Sequence, residues 1–344
     1  MNSSETQICL APLRGLTGTV FRETYAQFYD GIDYAVAPFL TTTHGGRVKP
    51  SHLQEVLPGN NRRMPVIPQI LSKDAERFIT LARALYDLGY DTVNWNMGCP
   101  FPRVAKKGRG SGLLGDPERI AVLLDQIMAA IPNRLSIKAR LGWRDAQELL
   151  AVIKVLNAYP IHRLIIHART GIQMYKGSVD LDSFEHCLSI CRCPVAYNGD
   201  ITTTADYRWL QCRWPGLKTW MIGRGVLQDP FLPADIKGLP NTTESDRRER
   251  FRCFHDALLE RFARVRSGPG HLVNTMKGYW TFFAVGFEDG GRMLKVVRKA
   301  DTLRKYHTAV DRFFDAPFRS IGPAVSPNCK SAGDPPASLD EEVA

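Results

Sequence analysis

The sequence predicts an α/β fold, a (β/α)8 TIM barrel followed by a smaller all-helical C-terminal domain, and two observations carry that prediction. Eight short apolar, β-rich runs lie between residues 8 and 225 and alternate with stretches that look helical. After about residue 239 the strand signal stops and only helical segments follow. Eight strand-helix alternations spell a closed parallel barrel, with an open doubly wound sheet as the competing arrangement.

In chain order the strand runs are 8–13, 32–39, 65–71, 92–98, 135–142, 163–169, 194–200 and 219–225. Between them, 72–88 reads as a helix with Ser72 as N-cap and Phe78, Leu81, Ala82 and Leu85 along one face, and 116–130 and 145–157 read the same way. Residues 1–239 form the expected barrel domain. Residues 240–315 form the expected helical domain, built from 244–265, 271–285 and 291–314. Residues 316–344, rich in Pro, Ser, Gly and acid, lack the apolar groups to form a core and are expected to be a disordered tail.

The 45 Lys and Arg against 35 Asp and Glu leave a formal charge of +10, a surface that attracts polyanions, nucleic acid first among them. No apolar run approaches the roughly 20 residues that span a bilayer, and Met1 to Gln7 is polar, so a soluble cytoplasmic protein without a membrane segment is expected. No obligate protein partner is indicated, and a monomer is expected. The eight cysteines are scattered and read as reduced thiols. Cys187, Cys191 and Cys193, with Cys212 behind them, lack paired C-x-x-C spacing, so they read as packed thiols and no metal is expected.

Polar or reactive residues recur where the strand runs end, the face on which barrels carry their sites: Gln69, Asn96, Cys99, Lys138, Arg140, His167, Arg169, Asn198, Asp200 and Arg224. A lysine in the apolar run Leu-Ser-Ile-Lys-Ala-Arg-Leu is costly to bury without an anion. Either Lys138 and Arg140 face a ligand inside the barrel, or they point outward to acids on the helices; their shared parity sends both the same way. His167 after Leu-Ile-Ile, taken alone, is a hydrogen-bonded core residue. Asn198-Gly199-Asp200 and Gly223-Arg224-Gly225 follow the seventh and eighth strands, where barrels often hold phosphate on backbone N–H groups, although Gly-Arg-Gly alone is also a tight turn. Cys99 ends a strand and precedes a basic, glycine-rich loop, 103–112; it is either an inert thiol or an acid or nucleophile at the barrel mouth.

Taken together, these motifs resemble the tRNA-dihydrouridine synthase family. The resemblance rests on Ala11-Pro12-Leu13, Gln69, Asn96-Met97-Gly98-Cys99-Pro100, Lys138-Ala139-Arg140-Leu141-Gly142, His167-Ala168-Arg169-Thr170, Asn198-Gly199-Asp200-Ile201 and Met221-Ile222-Gly223-Arg224-Gly225, seven motifs in order at barrel spacing. It implies an FMN across the barrel mouth, with Pro12, Leu13, Arg14 and Gln69 around its ring. By the same resemblance, Lys138 and His167 lie at its polar edge, and Asn198, Gly199, Asp200, Gly223 and Arg224 hold its phosphate. It further implies reduction of a tRNA uridine with NADPH or NADH as donor, hydride passing from flavin N5 to uracil C6 and a proton from Cys99 to C5, with Asn96, Arg140 and Tyr175 lining the uracil pocket.

The helical domain suits an RNA partner: between 244 and 314 there are 15 Lys and Arg against 9 Asp and Glu. Arg292, Lys295, Arg298, Lys299 and Lys305 recur at spacings that can share one helical face, either as a phosphate-binding stripe or as a solvated surface. Leu13, Ser72, Asn94 and Ala168 depart from the usual family residues Met, Gly, Asp and Gly, which bears on subfamily and substrate more than on reaction. Two other readings are a flavin barrel acting on a free pyrimidine, which would lack the basic helical domain, and a non-catalytic RNA-binding barrel, which would not need the cofactor residues.

Overall fold

Strand runs that are apolar on both faces are stable only inside a parallel sheet covered by helices. That is the arrangement in the computed structural model of the protein, which describes residues 6–42, 48–240 and 243–316. The strands are β1 (Gln7–Leu10), β2 (Tyr34–Val36), β3 (Leu40–Thr41), β4 (Val66–Ile67), β5 (Gln69–Leu71), β6 (Thr92–Met97), β7 (Arg134–Gly142), β8 (Arg163–Thr170), β9 (Val195–Asn198) and β10 (Thr219–Ile222). The helices around them are α1 (Thr19–Phe28), α2 (Ala75–Asp87), α3 (Pro102–Ala105), α4 (Pro117–Ala130), α5 (Gln147–Leu156), α6 (Leu181–Ile190), α7 (Thr204–Arg213), α8 (Arg224–Gln228) and α9 (Leu232–Ile236). Then come α10 (Glu244–Val265), α11 (Pro269–Phe283), α12 (Gly290–Lys299) and α13 (Leu303–Asp315).

All strand pairings are parallel, in the order β3-β5-β6-β7-β8-β9-β10-β1-β2-β4. One of the eight expected runs, 65–71, is split in two, and the run expected at 32–39 stops short while a further strand, β3, follows it; a proline stands at each break, because proline cannot donate to a ladder. Pro38 separates β2 from β3 and Pro68 separates β4 from β5. The second interruption also joins the sheet's ends: β4 bonds to β2, β5 bonds to β6, and the Pro68 carbonyl accepts from Asn94 N at 2.8 Å. The small plug inside the barrel is Cys9, Ala11, Val36, Ile165, Ala196 and Met221, while the larger core lies between strands and helices.

Two helix expectations need correction. Ser72 is not the N-cap of the helix expected at 72–88; Asp74 is, its side chain accepting from Arg77 N, while the Ser72 hydroxyl donates to the Asp74 carbonyl. The single helix expected at 291–314 is two helices, because the backbone turns extended at Ala300 and Thr302 caps a new start at Leu303. Lys305 therefore leaves the stripe of Arg292, Lys295, Arg298 and Lys299, which remains on α12. The tail expected at 316–344 lies, beyond Ala316, outside the described residues.

The C-terminal helices dock on α1 through aromatic rings. Phe254 of α10 meets Phe21 and Tyr29 edge-on, Tyr279 of α11 stacks on Phe21 at 5.8 Å, and the Tyr279 hydroxyl donates to the Leu16 carbonyl. A polar chain ties α10, α11 and α13 together. His255 Nδ1 donates to Asp256 at 2.8 Å, the Tyr306 hydroxyl donates to His255 Nε2 at 2.7 Å, and Trp280 Nε1 donates to the Tyr306 oxygen at 2.8 Å. Burial holds His255 neutral, below its ordinary pKa, against the opposing pull of Asp256. Tyr306→Phe strands a buried donor and acceptor and is expected to cost about 1–3 kcal/mol, read as a lower Tm. The unfolded histidine binds its proton more readily than the folded one, so stability should also fall as pH drops below about 6.5.

Candidate active site

In parallel ladders paired residues share a face, so the barrel plug fixes which way the polar residues point. Ile165 is in the plug and pairs with Lys138, which pairs in turn with Asn96; one step along the same face, Arg140 pairs with His167, and His167 with Asn198. Of the two directions open to Lys138 and Arg140, the inward one is therefore taken. At the C-terminal strand ends this face opens into a cavity of about 270 Å³, close to the ~300 Å³ at which small-molecule pockets begin.

Five cationic side chains line the cavity, Arg14, Lys138, Arg140, Lys176 and Arg224, against one acid, Asp200. Asp200 is engaged: it accepts from Arg169 at both oxygens and from Arg224 Nη2 at 2.6 Å, and those guanidiniums hold its pKa below the usual carboxylate range against its own desolvation. Lys138 Nζ has the neutral Asn198 Oδ1 as its partner at 2.9 Å. Arg140 donates to the carbonyls of Gly98, Thr170 and Met174 at 3.1, 2.8 and 2.5 Å, again without a carboxylate. Burial, with Arg140 nearby, pulls the Lys138 ammonium down to about 7. Desolvation first, then the cations Arg140, Lys138, Arg169 and Arg224, push His167 well below its ordinary value, so its imidazole is neutral. Tyr175 stands between two guanidiniums, Arg140 at 5.3 Å and Arg224 at 5.4 Å from its ring.

The thiol is fixed by its backbone. Asn96 Oδ1 accepts from Gly98 N at 3.1 Å and Cys99 N at 2.8 Å, and Asn96 Nδ2 donates to Gln69 Oε1 at 2.7 Å. Gln69 Nε2 donates in turn to Asn94 Oδ1 at 2.7 Å, and Asn94 Nδ2 donates to Ser136 Oγ at 2.9 Å. Asn94 must both accept and donate, which the aspartate usual in the resembled family cannot do. From the other side the Ser111 hydroxyl and N–H donate to the Cys99 carbonyl at 2.9 and 3.1 Å. Gly110, at φ +57°, lies so near that a Cβ there would sit 2.8 Å from Cys99 Cβ. Burial raises the Cys99 thiol above its ordinary pKa, against Arg140, Arg14 and Lys138, which keeps the proton on sulfur at neutral pH.

Of the residues singled out from sequence, Pro12, Leu13 and Arg14 line the cavity after β1, and Asn96 and Cys99 at the end of β6. Lys138 and Arg140 of β7, His167 of β8 with Tyr175 beyond it, Asn198, Gly199 and Asp200 after β9, and Gly223 and Arg224 after β10 complete the set. Gln69 is fully buried beneath the wall and reaches the thiol loop only through Asn96. Arg292, Lys295, Arg298 and Lys299 lie on α12, away from the lining. The sequence reading missed Phe39, Phe101 and, on α11, Gly278, Thr281 and Phe282, which also line the cavity. No local signal marks the three on α11, because they arrive by the docking of a distant helix, whereas Phe39 and Phe101 lie beside residues already singled out.

A parallel barrel with a cation-rich pocket and a protonated thiol at its C-terminal mouth is the framework of an enzyme that binds an anionic, partly apolar ligand. The profile of the dihydrouridine synthase family matches residues 9–284, and the chain belongs to that family. It is 32% identical over 249 residues to a tRNA-dihydrouridine(16) synthase of Cupriavidus necator, covering 70% of this chain and 76% of the relative. To a tRNA-dihydrouridine synthase B of Pseudomonas syringae pv. tomato it is 30% identical over 264 residues, 74% and 77% of the two chains. An old yellow enzyme homologue from Zymomonas mobilis shares the fold, with a TM-score of 0.50 at 13% identity over 69% of this chain and 90% of that one. Among the described residues no helix is long and apolar enough to cross a membrane.

Proposed function

We propose that this enzyme reduces a specific uridine of tRNA to 5,6-dihydrouridine, with FMN bound at the barrel mouth and NADPH or NADH as electron donor. One observation carries the reading: a protonated thiol and a strand lysine with no carboxylate partner face the same cavity. The residues fit the cofactor. Ala11, Pro12, Leu13, Phe39 and Met221 offer an apolar bed for a flat ring, and Lys138 offers a cation for its electron-rich edge. At Gly223 a Cβ would press to 3.2 Å on Ala11 Cβ, so the small residue keeps backbone close to the pocket; with Asn198, Gly199, Asp200 and Arg224 it would hold the phosphate. The flavin, when bound, supplies hydride from N5 to C6 of uracil.

Cys99 gives the proton to C5, a task for which a buried, protonated sulfur is suited. Arg140 and Tyr175 would hold the extruded base, and Asn96, its side chain already spent on the Cys99 loop, acts by fixing the thiol. Neutral His167 would serve as a hydrogen-bond partner rather than a charge. Residues 240–315 would act as the RNA-binding domain, Arg292, Lys295, Arg298 and Lys299 meeting phosphates, and the enzyme would work in the cytoplasm as a monomer. The tRNA substrate is supported by the names of the relatives.

The test combines purified protein, FMN and NADPH with tRNA from cells lacking the protein, and reads dihydrouridine by mass spectrometry. The reading requires a gain of two hydrogens at a defined uridine and a rate at limiting tRNA that falls steeply with salt. Reduction of free uracil but not of tRNA, or no retention of FMN, would defeat it. In the same assay Gly110→Ala, which forces the Cys99 loop to move, is expected to slow uridine reduction by up to about 100-fold while FMN stays bound.

A further inference from the structure

The cysteines at the foot of the barrel take part in none of the steps above. Cys191 ends α6 and Cys193 precedes β9, so both lie in a connection on the N-terminal side of the barrel, opposite the cavity. Their sulfurs are 3.4 Å apart, both residues are half-buried, and Arg192 between them is exposed, so a reagent can reach them. Among the described residues no group of three or more His, Cys, Asp or Glu is arranged to hold a metal. Two thiols this close share a hydrogen bond: the S–H of Cys193 stabilises a thiolate on Cys191, lowering the Cys191 pKa and raising that of Cys193. Cys187 nearby is fully buried, and its thiol is pushed up to about 12, which leaves it inert.

We propose that Cys191 and Cys193 form a thiol–disulfide exchange site that reacts with disulfides of the glutathione type. The Cys191 thiolate attacks one sulfur of the incoming disulfide, forming a mixed disulfide and expelling one thiolate. Cys193 then gives up its proton and attacks Cys191 Sγ, closing an internal disulfide and expelling the second. The protein loses two electrons and two protons, and the reagent becomes two thiols. Because the bridge would span a single residue, it closes a small ring, and strained bridges of this kind are readily reduced again.

The test exposes the full-length protein, under native conditions, to graded ratios of oxidised to reduced glutathione, then alkylates it and digests it with a protease that spares Arg192. The expected result is loss of two hydrogens on the peptide carrying both cysteines, reversed by dithiothreitol, while the exposed Cys212 and Cys253 gain only glutathione. Cys193→Ser should trap glutathione on Cys191. If the wild-type pair stays fully alkylatable at ratios where Cys212 is already glutathionylated, the proposal fails, and that readout depends on no variant and on no uridine reduction.

Discussion

Cys99→Ala is expected to lower dihydrouridine formation by roughly 10²–10⁴-fold, the contribution of a positioned general acid, with FMN binding and its reduction by NADPH unchanged. The separation follows from geometry. Removing Sγ leaves the Asn96 and Ser111 bonds to the Cys99 backbone in place, because they engage N–H and carbonyl groups rather than sulfur. Stopped-flow measurement of flavin reduction and of its reoxidation by tRNA would read the two halves apart; reoxidation at the wild-type rate would remove Cys99 from the reaction. Since burial raises the thiol pKa, the proton-donating form should persist above the ordinary thiol range, and the wild-type rate should not fall between about pH 7 and 8.5 for want of this proton.

Lys138→Met is expected to act in opposite directions on stability and on ligand binding. The lysine is held near 7 in the fold against an ordinary 10.5, so between those values the unfolded chain carries a proton that the folded, ligand-free protein has released. Stability of the ligand-free protein should therefore rise with pH across that window, and below about 7 the fold bears a charge it solvates poorly. Removing it should stabilise the ligand-free protein at pH 7 by on the order of 1 kcal/mol, seen as a Tm higher by roughly 2–4 °C, and should flatten the pH dependence. FMN affinity should fall, by tenfold or more if the lost interaction exceeds about 1.4 kcal/mol. A destabilised ligand-free variant that binds FMN normally would mean that Lys138 is structural.

Much of this site was legible because strand and helix periodicities are local. The alternation of runs marked the barrel, and residues at run ends marked its mouth. Lys138 and Arg140 stood out because a charged pair of one parity in an apolar strand has to be accounted for energetically. Prolines are less legible: Pro68 splits one run and Pro38 ends another ahead of the unforeseen β3, and only the ladder shows that the split at Pro68 joins the sheet's ends. Gln69 illustrates a different limit. Its position at a strand end was visible, but whether its amide meets a ligand or Asn96 depends on a few ångströms of depth.

What the sequence by itself determined, then, is the order of elements, the residues offered to the mouth and the family they resemble, since each depends on spacing within a short segment. The tertiary structure alone decided which face of β7 points inward, that Arg169 and Arg224 share Asp200 while Lys138 is left without a carboxylate, and that α11 brings Gly278, Thr281 and Phe282 to the cavity. Those outcomes depend on contacts between residues tens to hundreds of positions apart. Such contacts are set by how surfaces pack, and leave no periodic trace in the chain.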